Sequence, residues 1–267
     1  MLYASTIDKS LWSEGEKTAR AIAQVFKEKN LVSSNLKVLD VPCGMGRVAI
    51  PLARLGMNVT GVDVSPEYIR IARRRAKSAR IQDKTGFLMG RAEELRKFIT
   101  EATDPRERFD AAISIHTSLG YGTQRQDEAF LRQVRSSVKD GGLFVITARR
   151  NKSNIAKQVP ETYFQETDRM ILLQKHRYLN SRSRLETNWR FYRKERKRAS
   201  NGERGLHDHL VLVGKFDTRV RLYSTIELTA LLEKTGWKVI ECSESIHSRK
   251  TVISEESPEI YFLSTAA

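Results

Sequence analysis

The fold of this chain is decided by residues 38–50, VLDVPCGMGRVAI, together with the run 58–63, NVTGVD. The first run is an apolar segment that leads into a turn, where Gly44 and Gly46 let the backbone approach a ligand closely before a helix begins. The second run ends on Asp63, whose carboxylate can accept hydrogen bonds from both hydroxyls of a ribose. This order of elements is typical of a site for a nucleoside-containing cofactor.

Two classes of cofactor use this arrangement. Residues 44–49 match the dinucleotide fingerprint G-x-G-x-x-A, and Asp63 lies at a plausible distance beyond it. Asp40, however, would place an anion directly before a loop that holds a diphosphate, and Coulomb repulsion disfavours that placement. A carboxylate there attracts the ammonium and sulfonium groups of S-adenosylmethionine. The pattern therefore favours S-adenosylmethionine over a dinucleotide.

Residues 40–47 and 59–65 resemble the first two motifs of class I S-adenosylmethionine-dependent methyltransferases, with Pro42 where that family more often has glycine. The resemblance implies an α/β, Rossmann-like, doubly wound and mainly parallel seven-stranded sheet whose last strand is antiparallel. It also implies S-adenosyl-L-methionine as cofactor and S-adenosyl-L-homocysteine as product. The cofactor contacts that we expect from it are Asp40, Pro42, Gly44, Gly46, Arg47, Asp63, Val64, Ala92, Glu93, Ile115 and His116.

One position departs from the family pattern. After the third expected strand, residues 86–90, the family usually places an acidic residue that holds the adenine amine, and this chain has Arg91. The remaining acceptors for that amine are Glu93 and backbone carbonyl groups.

The loop after the fourth expected strand, residues 109–115, reads HTSLGY from His116 to Tyr121. In the family this edge faces the transferred methyl group, so the loop holds the catalytic candidates. His116 is a neutral base for an acceptor that must lose a proton, and Tyr121 is a polar wall that orients the acceptor. Packing roles for both side chains are the alternative. The loop resembles that of small-molecule members and lacks the Asn/Asp-Pro-Pro-aromatic motif of enzymes that methylate base amines.

Strand and helix patterns predict a division into three parts. Residues 1–32 form an N-terminal helical lid, in which Trp12 and Tyr3 are candidates to fold over the cofactor. The cofactor-binding core comprises residues 33–150 and 220–267. Between them, residues 151–219 contain extended segments linked by polar turns, which predict an inserted antiparallel β cap. An insertion at this point resembles that of members acting on small amines or hydroxyls.

The chain is strongly basic, with a net charge of +15 and a pI near 9.9. Residues 190–198, RFYRKERKR, place basic side chains beside aromatic ones, a combination that can hold nucleic acid. A solvated hairpin tip is the alternative interpretation of such a run. Membrane spans need ~20 apolar residues, and no stretch approaches that length.

Cellular location and metal content follow from two further patterns. The N-terminus lacks a secretory pattern, so we expect a cytoplasmic protein. Cys43 and Cys242 show no disulfide or metal-ligand spacing, and we expect no metal.

The sequence therefore predicts an S-adenosylmethionine-dependent methyltransferase that modifies a nitrogen or oxygen of a small-molecule acceptor. An RNA or protein methyltransferase that uses residues 190–198 is the first alternative. A NAD-dependent oxidoreductase rests only on residues 44–49, and a non-catalytic adaptor that binds S-adenosylmethionine is the remaining alternative.

Overall fold

The computed structural model describes residues 2–33, 35–102, 107–116, 119–149, 160–198, 206–247 and 259–267. Within these ranges the α-helices are α1 (Leu2–Glu28), α2 (Ala49–Arg54), α3 (Pro66–Ser78), α4 (Leu95–Ala102), α5 (Gln124–Ser137) and α6 (Thr225–Lys234). The strands are β1 (Lys37–Asp40), β2 (Asn58–Asp63), β3 (Thr85–Met89), β4 (Phe109–Ser114), β5 (Val138–Arg149), β6 (Thr162–Glu166), β7 (Met170–Leu179), β8 (Arg184–Arg198), β9 (Leu206–Arg221), β10 (Trp237–Ser243) and β11 (Glu259–Ala266).

The larger sheet has seven strands in the order β10-β11-β5-β4-β1-β2-β3. The five strands from β1 to β5 run parallel to one another, whereas β11 is antiparallel to both β5 and β10. Alternate residues of β4 belong to different buried clusters, Ile113 to one and Ala112 to the other, so both faces of the sheet are covered. The predicted Rossmann-like class with an antiparallel last strand is confirmed.

Polar caps start two of the helices just beyond the carboxyl edge of this sheet. The Ser65 side chain accepts a hydrogen bond from the Tyr68 backbone amide at the start of α3. Thr123 and Gln126 form a reciprocal capping box at the start of α5. The helix expected directly after Gly46 instead begins at Ala49. Since Gly44 and Gly46 both have positive φ, at 53° and 78°, the chain turns there and cannot yet be helical.

The predicted antiparallel sheet is present between β5 and α6, with the strand order β6-β7-β8-β9. We refer to this four-stranded sheet as the cap sheet. Its inner face buries Leu172 and Phe191, and the Trp189 ring stacks on Phe216 with 5.5 Å between their centroids. Strand β6 was not predicted, since its alternation is short and most of its side chains are exposed.

The basic run 190–198 lies within β8, where the structure describes the side chains as far as Glu195. Two of its cations are engaged in ion pairs: Arg193 with Glu195 at 2.6 Å, and Lys194 with Glu166. Part of the positive charge is therefore neutralised within the cap sheet. No helix in the described ranges is long and apolar enough to cross a membrane.

Candidate functional site

The carboxyl ends of β1, β2 and β4 bring the candidate residues to one edge of the large sheet. Asp40 at the end of β1 pairs with Gly61 of β2 on one side and with Ile113 of β4 on the other. Two cavities open at this edge and share Pro42 and Asp63. We call them the nucleoside cavity, about 280 Å³, and the loop cavity, about 160 Å³. Ligands of doubly wound sheets bind at such an edge.

Asp63 fixes the glycine loop from the end of β2. Its Oδ2 accepts a hydrogen bond from the Gly44 amide at 2.9 Å, and its Oδ1 accepts one from the Ser65 amide at 2.8 Å. Burial raises the pKa of this carboxyl, and the backbone hydrogen bonds oppose the rise. A carboxylate has about four lone-pair positions, so Asp63 can hold the loop and still accept hydrogen bonds from a ligand.

Asp40 lies on the floor of the loop cavity and is only 3% exposed. Burial raises the pKa of this carboxyl to about 8, the negative charge of Asp63 adds to the rise, and Arg47 opposes it. A buried carboxyl of this kind gains most from a cationic ligand, because the positive charge would compensate for lost hydration.

His116 follows β4 in the left-handed backbone region, at φ 66°. Its amide donates to Thr147 Oγ1 at 2.9 Å, which turns the imidazole into the wall of the loop cavity. Its Nε2 is buried and has no hydrogen-bond partner among the described residues. Burial, and then the charge of Arg47, lower the His116 pKa to about 4, so the ring is neutral near pH 7. An orphaned buried nitrogen of this kind indicates space for a ligand.

Arg91, Glu93 and Gln126 meet at the rim of the nucleoside cavity. Glu93 Oε1 lies 3.6 Å from Arg91 Nη2 and accepts a hydrogen bond from Gln126 Nε2 at 3.4 Å. Arg91 therefore lies within ion-pair distance of Glu93. Glu93 is thus placed at this cavity as a candidate acceptor for an exocyclic amine.

The other predicted residues divide between the cavities. The nucleoside cavity is lined by Pro42, Val64, Ala92 and Tyr121, and the loop cavity by Pro42, Gly44, Arg47 and Ile115. Gly46 lines neither cavity; a Cβ there would lie 3.1 Å from Ile50 Cδ1, so its hydrogen permits packing below the loop. Tyr121 lies on the nucleoside cavity and His116 on the loop cavity, whereas the sequence grouped them together. Thr117 and Ser118 lie outside the described residues.

Several residues that line the nucleoside cavity were not predicted from the sequence: Gly122, Gln126, Asp127 and Phe130. The capping signal of Thr123 and Gln126 could have located the start of α5 at this edge. The sequence analysis also did not predict that α1 packs against the glycine loop. At Gly15 a Cβ would lie 2.4 Å from the Arg47 carbonyl oxygen, so α1 packs directly against the glycine loop.

Of the two predicted lid residues, the structure describes the side chain of Trp12. Trp12 packs against the core, and the Arg75 guanidinium lies over its ring at 4.6 Å from the centroid. The Tyr3 side chain is outside the described residues. A lid role for this helix stays a prediction.

Together the two cavities fit an elongated ligand with a nucleoside at one end and a cationic amino-acid group at the other. The loop cavity is lined by the buried Asp40 carboxyl and by His116, whose Nε2 has no hydrogen-bond partner within the described part of the chain. At Gly44 a Cβ would stand clear of the other described residues. The nucleoside cavity offers apolar walls and the Glu93 carboxylate. S-adenosylmethionine has this distribution of groups.

Comparison with known proteins agrees with this geometry. Residues 38–142 match the family model described as a methyltransferase domain. The chain is 33% identical over 137 residues to the ubiquinone biosynthesis O-methyltransferase of Bradyrhizobium diazoefficiens, an overlap of 48% of each chain. The chain thus spans about half the length of the curated relatives that it matches.

Solved structures match over nearly the whole chain at low identity. An S-adenosylmethionine-dependent methyltransferase from Clostridium acetobutylicum superposes with a TM-score of 0.76 at 15% identity, covering 99% of this chain and 98% of that one. The amino pentose methyltransferase CalS10 from Micromonospora echinaspora, solved with S-adenosylmethionine bound, gives 0.66 at 14% identity, covering 100% and 97%. The likeness includes both sheets, because the coverage is nearly complete.

Proposed function

We propose that this chain, whose residues 38–142 match a methyltransferase domain, transfers a methyl group from S-adenosylmethionine to a nitrogen or oxygen of a small-molecule acceptor. The observation that carries the proposal is the loop cavity, where the buried Asp40 carboxyl lies beside the glycine loop together with His116 Nε2, which makes no hydrogen bond to any residue that the structure describes. Asp63 joins this cavity to the nucleoside cavity. Two of the similar proteins, an O-methyltransferase of ubiquinone biosynthesis and an amino pentose methyltransferase, support a small acceptor.

We further propose the three-part division made from the sequence: a helical lid at 1–32, a core at 33–150 and 220–267, and a cap at 151–219. The cap sheet, β6 to β9, begins inside the last of these ranges and ends at Arg221, two residues beyond it. A cap following β5 is suitably placed to enclose an acceptor.

In this function S-adenosylmethionine, when bound, supplies an electrophilic methyl group. Asp63 would hold the ribose hydroxyls, and ionised Asp40 would compensate the charge of the ammonium. His116 Nε2 accepts the proton that the acceptor nitrogen or oxygen gives up. Alignment of the acceptor is the main source of rate, because well-oriented groups can contribute roughly 7–11 kcal/mol.

The acceptor class is tested by following the formation of S-adenosylhomocysteine with panels of small amines and phenols, and separately with RNA. We expect turnover with members of the small-molecule panels and none with RNA alone. Turnover that requires RNA would replace the proposal with the alternative based on residues 190–198.

Glu93 is expected to select adenine by accepting a hydrogen bond from its amine. S-inosylhomocysteine carries an oxygen in place of that amine, so the wild-type protein should bind it about tenfold more weakly than S-adenosylhomocysteine. Glu93→Ala should remove most of this preference in calorimetric titrations. The control is Glu94→Ala, an exposed acid that does not line the cavity. A preference that survives in Glu93→Ala would assign adenine selection to the backbone carbonyls.

Asp40 is expected to release a proton when the cofactor site fills. Its pKa of about 8 leaves it mostly protonated at pH 7, and a neighbouring ammonium favours the ionised form. Affinity for S-adenosylhomocysteine should therefore rise as the pH increases from 6 toward 8, and the binding enthalpy at pH 7 should depend on the ionisation enthalpy of the buffer. Asp40→Asn should abolish both effects. Buffer-independent enthalpies in the wild-type protein would contradict this assignment.

The raised pKa of Asp40 also affects the stability of the ligand-free protein, in the direction opposite to its effect on affinity. Because the folded-state pKa of Asp40 lies above the ordinary value of 3.8, the native protein binds the proton more tightly. The contribution of Asp40 to the free energy of unfolding therefore decreases as the pH rises from about 4 to about 8. Affinity and apo stability should thus change in opposite directions over this range.

His116→Ala should lower kcat by roughly a hundredfold or more with any acceptor that must lose a proton. Because its pKa is about 4, the ring stays deprotonated, so its titration should not appear in the rate between pH 6 and 8. His209→Ala, which removes an exposed histidine on β9, is the control. Full turnover in His116→Ala across this pH range would leave His116 with a packing role.

A further inference from the structure

A buried polar network joins the end of the cap sheet to the loop that follows β4. Asp127, which is 5% exposed, accepts two hydrogen bonds: Oδ1 from the Gly120 amide at 3.1 Å and Oδ2 from the Tyr223 hydroxyl at 2.6 Å. The Gly120 carbonyl in turn accepts a hydrogen bond from the Arg221 amide at 2.8 Å. Gly120 is therefore held through both of its backbone polar groups.

The network extends to the first turn of α6. The Arg221 guanidinium lies over the Tyr223 ring, 4.8 Å from its centroid, and donates to Gln124 Oε1 at 2.9 Å and to Glu227 Oε1 at 3.3 Å. Arg221 is the last residue of β9, so the cap sheet ends inside this cluster. We call Gly120, Asp127, Arg221 and Tyr223 the clamp.

The held segment forms part of both cavities. His116, at its start, lines the loop cavity, whereas Tyr121 and Gly122 line the nucleoside cavity. Gly120 lies between these positions and adopts a φ of 93°. A shift of the clamp would therefore displace Tyr121 and Gly122 in the wall of the nucleoside cavity.

A role in packing alone does not explain why an acid occupies position 127. Burial raises the pKa of Asp127, which shows that the site is a costly place for a carboxylate. Replacing buried polar groups by well-packed apolar ones is often neutral or stabilising, so packing alone does not require an acid here. A carboxylate is instead suited to receive two donors from different elements, the Gly120 amide and the Tyr223 hydroxyl.

We propose that Tyr223 is a positioning residue that couples the cap sheet to the cofactor site through Asp127, by holding Gly120 against the end of β9. Asp127 also lines the nucleoside cavity, so Tyr223→Phe, at a residue outside that lining, is the variant that tests the coupling itself. This inference rests on the proposed function, since it concerns the affinity of the same site for the cofactor. A ligand bound against the cap sheet should then alter the affinity of the cofactor site, and the cofactor should alter the affinity for that ligand, because the cap sheet and the cofactor site share the loop that follows β4.

The test measures the affinity of Tyr223→Phe and Asp127→Asn for S-adenosylhomocysteine by calorimetry, well below their unfolding temperatures. We expect each variant to bind about fivefold or more weakly than the wild-type protein. The double variant should lose less than the product of the two factors, because both changes break the same clamp. The control, Thr235→Val, loses a buried hydroxyl that bonds only the Leu231 and Leu232 carbonyls at the end of α6.

Thr235→Val should lower the unfolding temperature and leave the affinity unchanged. Unchanged affinity in both clamp variants, with binding intact in the wild-type protein, would overturn the inference and leave the proposed function standing. Absence of binding in the wild-type protein would instead overturn the proposed function.

Hydrogen exchange in the wild-type protein gives a second readout should a variant fail to fold. We expect S-adenosylhomocysteine to slow exchange at residues 119–122 and at residues 221–223 together. Slowing confined to residues 119–122 would show that the cap strand is not coupled to the site.

Discussion

Asp63→Ala should reduce the affinity for S-adenosylhomocysteine by at least a hundredfold. The substitution removes an acceptor for the ribose hydroxyls, and hydrogen bonds to a charged group contribute about 1.5–3 kcal/mol each. It also leaves the Gly44 and Ser65 amides, now bonded at 2.9 and 2.8 Å, without their acceptor. The glycine loop should therefore lose its orientation together with the ribose contact. Calorimetric titration measures the change directly.

Two further variants separate the effect of losing the Asp63 contacts from the effect of losing a negative charge. Asp63→Asn keeps one carbonyl oxygen and should fall between the wild-type protein and Asp63→Ala. Asp83→Ala removes an exposed acid, changes the net charge equally and should bind normally. Affinity within threefold of wild type in Asp63→Ala would show that the ribose is held elsewhere.

Gly120→Ala should destabilise the protein by about 3–5 kcal/mol. The residue has a φ of 93°, and strain of this kind costs about 1–3 kcal/mol. A Cβ would also lie 2.2 Å from the Arg221 carbonyl oxygen, a backbone atom that cannot rotate away. Overpacking of this kind adds about 1–3 kcal/mol. For a chain of this size we expect the unfolding temperature to fall by roughly 10 °C.

Gly56→Ala provides a matched control for this loss. Gly56 has a similar φ of 99°, and a Cβ there would have no heavy atom within 4 Å. It should therefore show only the backbone strain, and the difference in unfolding temperature between the two variants isolates the contact with Arg221. Equal losses would mean that the loop and the cap strand are not in contact in solution.

Much of the fold could be predicted because its signals are local. Apolar strands followed by helical periodicity predict the parallel sheet that the structure has. The exact start of α2 at Ala49 cannot be read locally, because the conformation of Gly46 depends on packing against Phe87 and Ile50. The full lengths of β8 and β9 cannot be read locally either, since long strands with an exposed polar face lack the apolar signal.

The residues of the candidate site could likewise be predicted only where their signals are local. Asp40, Asp63 and His116 lie at strand ends, so the order of the strands alone brings them to one edge. The contact between Asp127 and Tyr223 joins residues far apart in sequence through the position of the cap, which no local pattern encodes. The role of Tyr121 in orienting the acceptor stays a prediction, and its place on the nucleoside cavity follows from the turn at Gly120, which cannot be read from the sequence.

The measurement that tests the proposed cofactor most directly is a calorimetric titration of the purified protein with S-adenosylhomocysteine, with NADH as the matched nucleotide. We predict saturable binding of S-adenosylhomocysteine and none of NADH. An ammonium beside buried Asp40 stabilises its ionised form, whereas a diphosphate gains no charge complement from this carboxyl in its protonated form and is repelled by its ionised form. Binding of NADH without binding of S-adenosylhomocysteine would contradict the proposed function and favour the oxidoreductase alternative.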